Sequence, residues 1–312
     1  MKPERRILAM GLRWGLSFAI LGYVGYRAGQ AYKALDASAI TVSWPWLLVS
    51  LSGVVLFMLL MSITWGAVMR DLGASITTRA AFRMVCISNL AKYVPGGVWN
   101  MVGRVAMCSK VGVHAISTST SLLIEAISQI AIGALLSLLV LSSIFSKDLL
   151  PHPGLLAISA LLLAGAIHPR VINFGLGLIG RLLKKQWAVN IAPRAMLKAL
   201  SWYAGSWLVL AVSFSILAHA VFHLGLGLRN VMFLCGAFGL AWNAGALAIF
   251  LPAGVGVREL VLIGVLTPYL HAEGATLFSV IARLWMLLGE VVAFALALLW
   301  RGERTALETS KR

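Results

Sequence analysis

Charge is scarce in this chain, and negative charge is scarcest. Its 312 residues hold 10 Asp and Glu against 26 Lys and Arg, a formal net charge of +16, and charged residues make up only 12% of the whole. With hydrophobic residues at 60%, a soluble domain of this composition would leave far more apolar surface in water than a folded protein tolerates. The mean hydropathy of +0.92 points the same way, to a chain embedded in a membrane. Cysteine is also rare: Cys86, Cys108 and Cys235 stand alone in apolar sequence, with no Cys-x-x-Cys pair and no disulfide framework, which leaves buried thiols. No Ser/His/Asp or Cys/His constellation and no phosphate-binding loop ending in Lys-Ser/Thr occurs, so neither an enzymatic activity nor a cofactor is expected.

Several weaker patterns carry little. Gly175, Gly177 and Gly180 have the spacing of a dinucleotide fingerprint, but no strand precedes them and no acid follows at the right distance. They suit an amphipathic cytoplasmic helix, with Arg181, Lys184 and Lys185 toward lipid phosphates. His219 and His223 are four apart without an acidic or Cys ligand beside them, so an interfacial pair is favoured over a metal site. Gly11 and Gly15 form a patch for close helix packing.

What the chain does have is long apolar runs. Spans are expected near residues 8–26, 45–69, 115–145, 154–168, 199–222 and 275–300. The first is expected to be retained rather than cleaved, because Arg13 stands inside it and can snorkel to the headgroups. Two further apolar regions, near 80–112 and 230–270, are cut by matching phrases, Tyr93-Val94-Pro95-Gly96-Gly97-Val98 and Phe250-Leu251-Pro252-Ala253-Gly254-Val255. Each phrase is followed by an arginine, Arg104 or Arg258. Broken helix at bilayer depth is tolerated only where the freed backbone is buried in protein or lines a cavity, and matched breaks in two halves point to a transport site. Both regions are expected to be re-entrant helical hairpins.

The basic residues cluster at segment ends, which suits orientation by lipid and the positive-inside rule better than nucleic-acid binding. Lys2, Arg5 and Arg6, then Arg70, Arg79, Arg83 and Lys110, then Arg170, Arg181, Lys184, Lys185, Arg194 and Lys198, and lastly Arg301, Arg304, Lys311 and Arg312 mark one side. Only Arg27, Lys33, Lys147 and Arg229 mark the other. Both termini are therefore expected in the cytoplasm of a multi-pass cell-membrane protein. The two hairpins then enter from opposite sides, and residues 1–150 and 151–312 become inverted repeats of a single polytopic membrane domain.

Ionisable residues at depth are the chemical signal. They are Lys92, Arg104, Glu125, Arg258, Glu259, Arg283 and Glu290. Each costs roughly 2.5 to 3.5 kcal/mol at a helix centre, so facing lipid together they would cost on the order of 20 kcal/mol. One explanation is mutual pairing that holds the hairpins to the bundle. Four cations meet three anions, however, which leaves one positive charge that a lipid phosphate would neutralise. Arg283 and Glu290 share a face but stand about 10 Å apart along the axis, so each is expected to pair with another element. Ser121, Glu125, Ser128 and Gln129 form a stripe expected to face inward. Half-helices beginning after Gly97 and Gly254 would present free N–H groups to an anion, and Asn89, Asn100 and Asn243 are expected mainly to join helices.

The phrase from Lys92 to Arg104, the phrase from Leu251 to Glu259 and the stretch from Arg283 to Glu290 resemble the membrane region of lysylphosphatidylglycerol synthases and its stand-alone flippase-like relatives. The resemblance runs from about residue 8 to 300. The first phrase departs from a common form of the pattern, with Trp99 and Asn100 where a small residue and an acid are frequent. The resemblance implies an all-α inverted-repeat bundle of about six spans and two hairpins that moves an anionic or aminoacylated phospholipid, or a related lipid carrier, between leaflets. Lys92, Arg104, Arg258 and Arg283 would hold the headgroup; Glu125, Glu259 and Glu290 would balance charge or relay a proton. Pro95, Gly96, Gly97, Pro252 and Gly254 would make the hairpin breaks. About a dozen residues follow the last span, so the tRNA-dependent synthase half is expected to be absent. The partners this admits are membrane phospholipid, a lipid-synthesis enzyme and a second copy of the chain. The alternatives are a non-transporting regulator of a lipid-modifying enzyme and an ion-coupled carrier of a small anion.

Overall fold

The structure is a computed structural model that describes residues 42–93, 99–145, 193–248 and 251–300, with short pieces at 22, 25–26 and 29–30. The expected spans near 8–26 and 154–168, the glycines at 11, 15 and 175–180, and the break residues Pro95, Gly96 and Gly97 lie outside the described residues. The rest is helical, with no strand among the described residues.

Among the described residues from 42 onward, seven α-helices follow in order: α1 (Trp44–Asp71), α2 (Thr78–Leu90), α3 (Trp99–Lys110), α4 (Ala115–Phe145), α5 (Pro193–Phe222), α6 (Leu228–Leu247) and α7 (Val257–Leu299). Short 3-10 turns at Ala91–Tyr93 and Pro252–Gly254 stand at the two interruptions. Parts or all of α1, α4, α5, α6 and α7 are long and apolar enough to cross a membrane. Their outward faces carry exposed Leu56, Trp202, Leu208, Leu260, Leu284 and Leu288, a surface suited to lipid rather than water.

Local chemistry sets the ends. Pro45 in the first turn of α1 needs no N–H partner, and at its other end Gly73, at φ 81°, lets the chain turn back so that its N–H reaches the Arg70 carbonyl at 3.0 Å. Thr77 caps α2, its hydroxyl oxygen accepting the Ala80 N–H at 3.3 Å. At 13 and 12 residues, α2 and α3 each reach only about 20 Å, short of a bilayer core of about 30 Å.

The second interruption differs from the expectation of two short arms. α6 has 20 residues and spans by length alone, because it begins at Leu228 and continues to the edge of the Pro252 phrase. α7 contains Pro268, which withdraws one backbone donor, and it breaks at His271, at φ 55° and ψ 172°. Its first part, up to residue 270, is therefore short, and its second part coincides with the expected last span.

Helix packing follows the small residues. On α6, an added Cβ at Gly236 would lie 2.5 Å from the Val140 nitrogen, and at Gly239 2.8 Å from the Gly133 carbonyl oxygen, so α6 sits backbone-close on α4. α1 meets α5 through Gly53 and through the Ser50 hydroxyl, which donates to the Ser213 carbonyl at 2.7 Å. Aromatic residues fill the centre between α5, α6 and α7: Phe214 lies 4.9 Å from Phe238 and 5.2 Å from Phe278, and Trp207 lies 5.2 Å from Trp242. All three cysteines are buried and free.

Candidate functional site

Two sets of charges lie inside this frame. The first is a pair held between α2, α3 and α4. Arg104 of α3 donates from Nη1 to Glu125 Oε2 at 2.6 Å and from Nε to the Ser88 hydroxyl at 3.1 Å, with its guanidinium 5.1 Å from the Trp65 ring centre. Gln129 donates to the other Glu125 oxygen at 3.2 Å, and Trp65 donates its indole N–H to Ser121 at 2.9 Å. The α4 stripe faces inward as expected, with Ser121, Glu125 and Ser128 buried.

The second set gathers where the two interruptions meet. The turn carrying Lys92 and Tyr93 touches the turn at Pro252–Gly254. Lys92 Nζ pairs with Glu290 Oε1, and the Tyr93 hydroxyl donates to Glu290 Oε2 at 2.9 Å. Glu290 itself is 1% exposed, so both oxygens are satisfied by the first interruption alone. Two turns earlier on the same helix, Arg283 donates to the Ala253 carbonyl at 3.2 Å, lies 3.7 Å from Glu259 Oε1 and places its guanidinium 5.5 Å from the Tyr93 ring centre. Glu259 reaches back to accept the Gly256 N–H at 2.6 Å, a carboxylate capping the N-terminus of α7.

The turn between α6 and α7 needs its glycines. Ala253, Gly254 and Gly256 all have positive φ, at 51°, 65° and 87°. An added Cβ at Gly254 would lie 2.6 Å from the Gly245 Cα, so this turn presses its backbone directly onto α6. Arg283 holds the strained Ala253 in place through its carbonyl.

Arg258 is different. Its guanidinium lies 4.4 Å from the Trp242 ring centre and 5.8 Å from that of Phe238, and it forms no ion pair among the described residues. Arg283, Glu259, Tyr93 and Glu290 lie within its electrostatic reach. The three carboxylates expected at depth are each taken by another cation, so Arg258 is the one left of the four. A buried donor of the nearby Arg283, Nη2, has no hydrogen-bond partner among the described residues.

The structure thus brings together Lys92, Arg258, Glu259, Arg283, Glu290 and Gly254, and pairs Arg104 with Glu125 in a cluster of their own. Residues 12–293 match the family model described as Lysylphosphatidylglycerol synthase TM region. The chain belongs to this family. Among curated proteins and among solved structures, none matches the chain.

Sequence alone did not point to Tyr93, Trp242, Phe238 or Ser88. Phe238 and Trp242 are one turn apart on α6, a spacing that places them on one face and was the available signal. Of the asparagines, Asn243 donates to the Ile130 carbonyl at 3.2 Å and joins α6 to α4, Asn89 reaches the Met58 sulfur at 3.9 Å, and Asn100 accepts the neighbouring Met101 N–H at 2.9 Å. His219 Nδ1 lies 2.8 Å from the Leu224 carbonyl at the end of α5, away from these charges in sequence and contact.

Proposed function

We propose that this protein translocates a phosphate-bearing lipid between leaflets, with Arg258 as the group that takes the phosphate. The observation that carries this is the free charge of Arg258, set against Trp242 where the two interruptions touch. A guanidinium stacked on an indole keeps its five donors free for a planar or tetrahedral oxyanion, and the surrounding aromatic wall strengthens that attraction by excluding water. Lys92 stands beside it as a second cation, and Arg283 holds the turn from which α7 begins. Glu259 and Glu290 balance charge; Arg104 and Glu125 fasten α3 to α4.

Movement follows from how the interruptions are joined. Lys92 and Tyr93 on one side, and the Ala253 carbonyl with Glu259 on the other, tie them to the second part of α7. Exchange of the Lys92 contact for a phosphate contact would let one interruption rock past the other and present the headgroup to the opposite leaflet. The order of a full-length helix, an interrupted pair and another long helix occurs twice, as α1, α2 with α3, α4, and as α5, α6 with the first part of α7, then its second part. That order supports a repeat, and the Lys/Arg asymmetry of the loops supports both termini in the cytoplasm of a cell membrane.

The test is reconstitution. Liposomes containing the purified protein and a trace of headgroup-labelled phospholipid are exposed to a membrane-impermeant quencher, and the rate at which inner-leaflet label is lost is measured. Faster loss than in protein-free liposomes is expected. Equal rates, with protein incorporation confirmed, would leave the protein as a non-transporting partner of a lipid-modifying enzyme.

A further inference from the structure

Given the lipid site proposed above, we infer that its ligand is a monoanionic phosphate diester without a cationic substituent, so that an unmodified anionic phospholipid, and not an aminoacylated one, occupies Arg258. The inference comes from which charges are already spoken for. At the meeting point of the interruptions stand three cations, Lys92, Arg258 and Arg283, and two anions, Glu259 and Glu290. A headgroup of charge −1 brings this set to neutrality. A zwitterionic headgroup leaves its surplus positive charge in place, and a lysyl-modified headgroup, with two ammonium groups and one phosphate, adds another.

An ammonium would need an acceptor, and every carboxylate oxygen at depth already faces one donor. Glu290 accepts from Lys92 with one oxygen and from the Tyr93 hydroxyl with the other. Glu259 faces Arg283 with one oxygen and caps the Gly256 N–H with the other. Glu125, in the separate cluster, is held by Arg104 and Gln129. Were an incoming ammonium to displace Lys92 from Glu290, the released lysine would remain as an unpaired cation next to Arg258. Within the cluster itself, Arg283 Nη2 is a buried donor without an acceptor, as suits an anionic ligand.

The same phosphate chemistry belongs to lipid headgroups and to soluble phosphate, and the experiment separates the two. The purified protein, and its Arg258→Ala and Arg258→Lys variants, are reconstituted and tested with labelled phosphatidylglycerol, phosphatidylethanolamine and lysyl-phosphatidylglycerol, and with radiolabelled inorganic phosphate for uptake. Phosphatidylglycerol is expected to move at least ~10-fold faster than the lysyl form, with the difference lost in Arg258→Ala and partly kept in Arg258→Lys. Equal or faster movement of the lysyl form, still dependent on Arg258, overturns the inference while the lipid site stands. Movement of no lipid above the Arg258→Ala level, or Arg258-dependent uptake of inorganic phosphate alone, overturns both.

Discussion

The Lys92 and Glu290 pair allows a sharp energetic test because its two members are buried unequally. The lysine side chain keeps 18% of its surface exposed, whereas the glutamate side chain keeps none. Removing one partner of a buried pair leaves an uncompensated charge and costs about 3 to 5 kcal/mol. Lys92→Met strands a fully buried carboxylate that retains only the Tyr93 hydroxyl, so its cost belongs at the upper end. Glu290→Gln strands a lysine that can still turn toward water, and the new amide keeps an acceptor for Tyr93, so its cost belongs at the lower end. The double variant has no buried charge left at this contact and is expected to be more stable than either single one. Thermal unfolding in detergent, followed by intrinsic fluorescence, reads the cycle. Decreases of roughly 5 to 15 °C are expected for the single variants and a smaller decrease for the double. Strictly additive losses would show that the two groups do not depend on each other, and the joint between the first interruption and α7 would have to be abandoned.

Two glycines of the same site and the loop charges give three further outcomes. Gly254→Ala forces a Cβ onto the Gly245 backbone at a position of positive φ and is expected to destabilise the protein by about 1 to 3 kcal/mol, whereas Gly245→Ala meets chiefly the flexible stem of Arg258, 2.3 Å from its Cγ, and should slow lipid movement with little loss of stability; melting and translocation on one preparation check both. Introduced cysteines at Lys147 and Lys184, read against native cysteines that are all buried, should label from outside and from inside respectively, and the reverse pattern would remove the inverted topology.

The long helices were legible because lipid demands one property over many consecutive residues. α4 occupies the expected 115–145, α1 exceeds its expected 45–69 only by Trp44, Arg70 and Asp71, and α5 exceeds its expected 199–222 only at its start, where Pro193, Arg194 and Lys198 add a polar turn. The break at His271 separates the second interrupted region from the last span. The length of α6 was less legible: the Pro252 phrase implied two arms too short to span, but α6 runs unbroken from Leu228 to Leu247, with Gly236 and Gly239 in close contact with α4.

The candidate site was legible as an inventory and not as a wiring plan. Seven ionisable groups in apolar sequence are conspicuous, and the surplus of one cation is simple arithmetic. Which cation is surplus depends on contacts between elements far apart in the chain, such as Lys92 with Glu290 and Trp242 with Arg258. No local pattern encodes those pairings. Arg258 and Arg283 look alike in sequence, and packing separates them into a free cation and a clamp on Ala253 and Glu259.

That separation gives the most direct measurement. Arg258→Ala removes a stacking contact worth about 0.5 to 2 kcal/mol and strands no carboxylate, so the variant is expected to melt close to wild type yet lose lipid translocation. Arg283→Ala strands Glu259 and frees the Ala253 turn, so it should lose stability and translocation together. If Arg258→Ala, folded and incorporated as well as wild type, moved lipid at the wild-type rate, the phosphate would have to bind elsewhere and the account would be wrong.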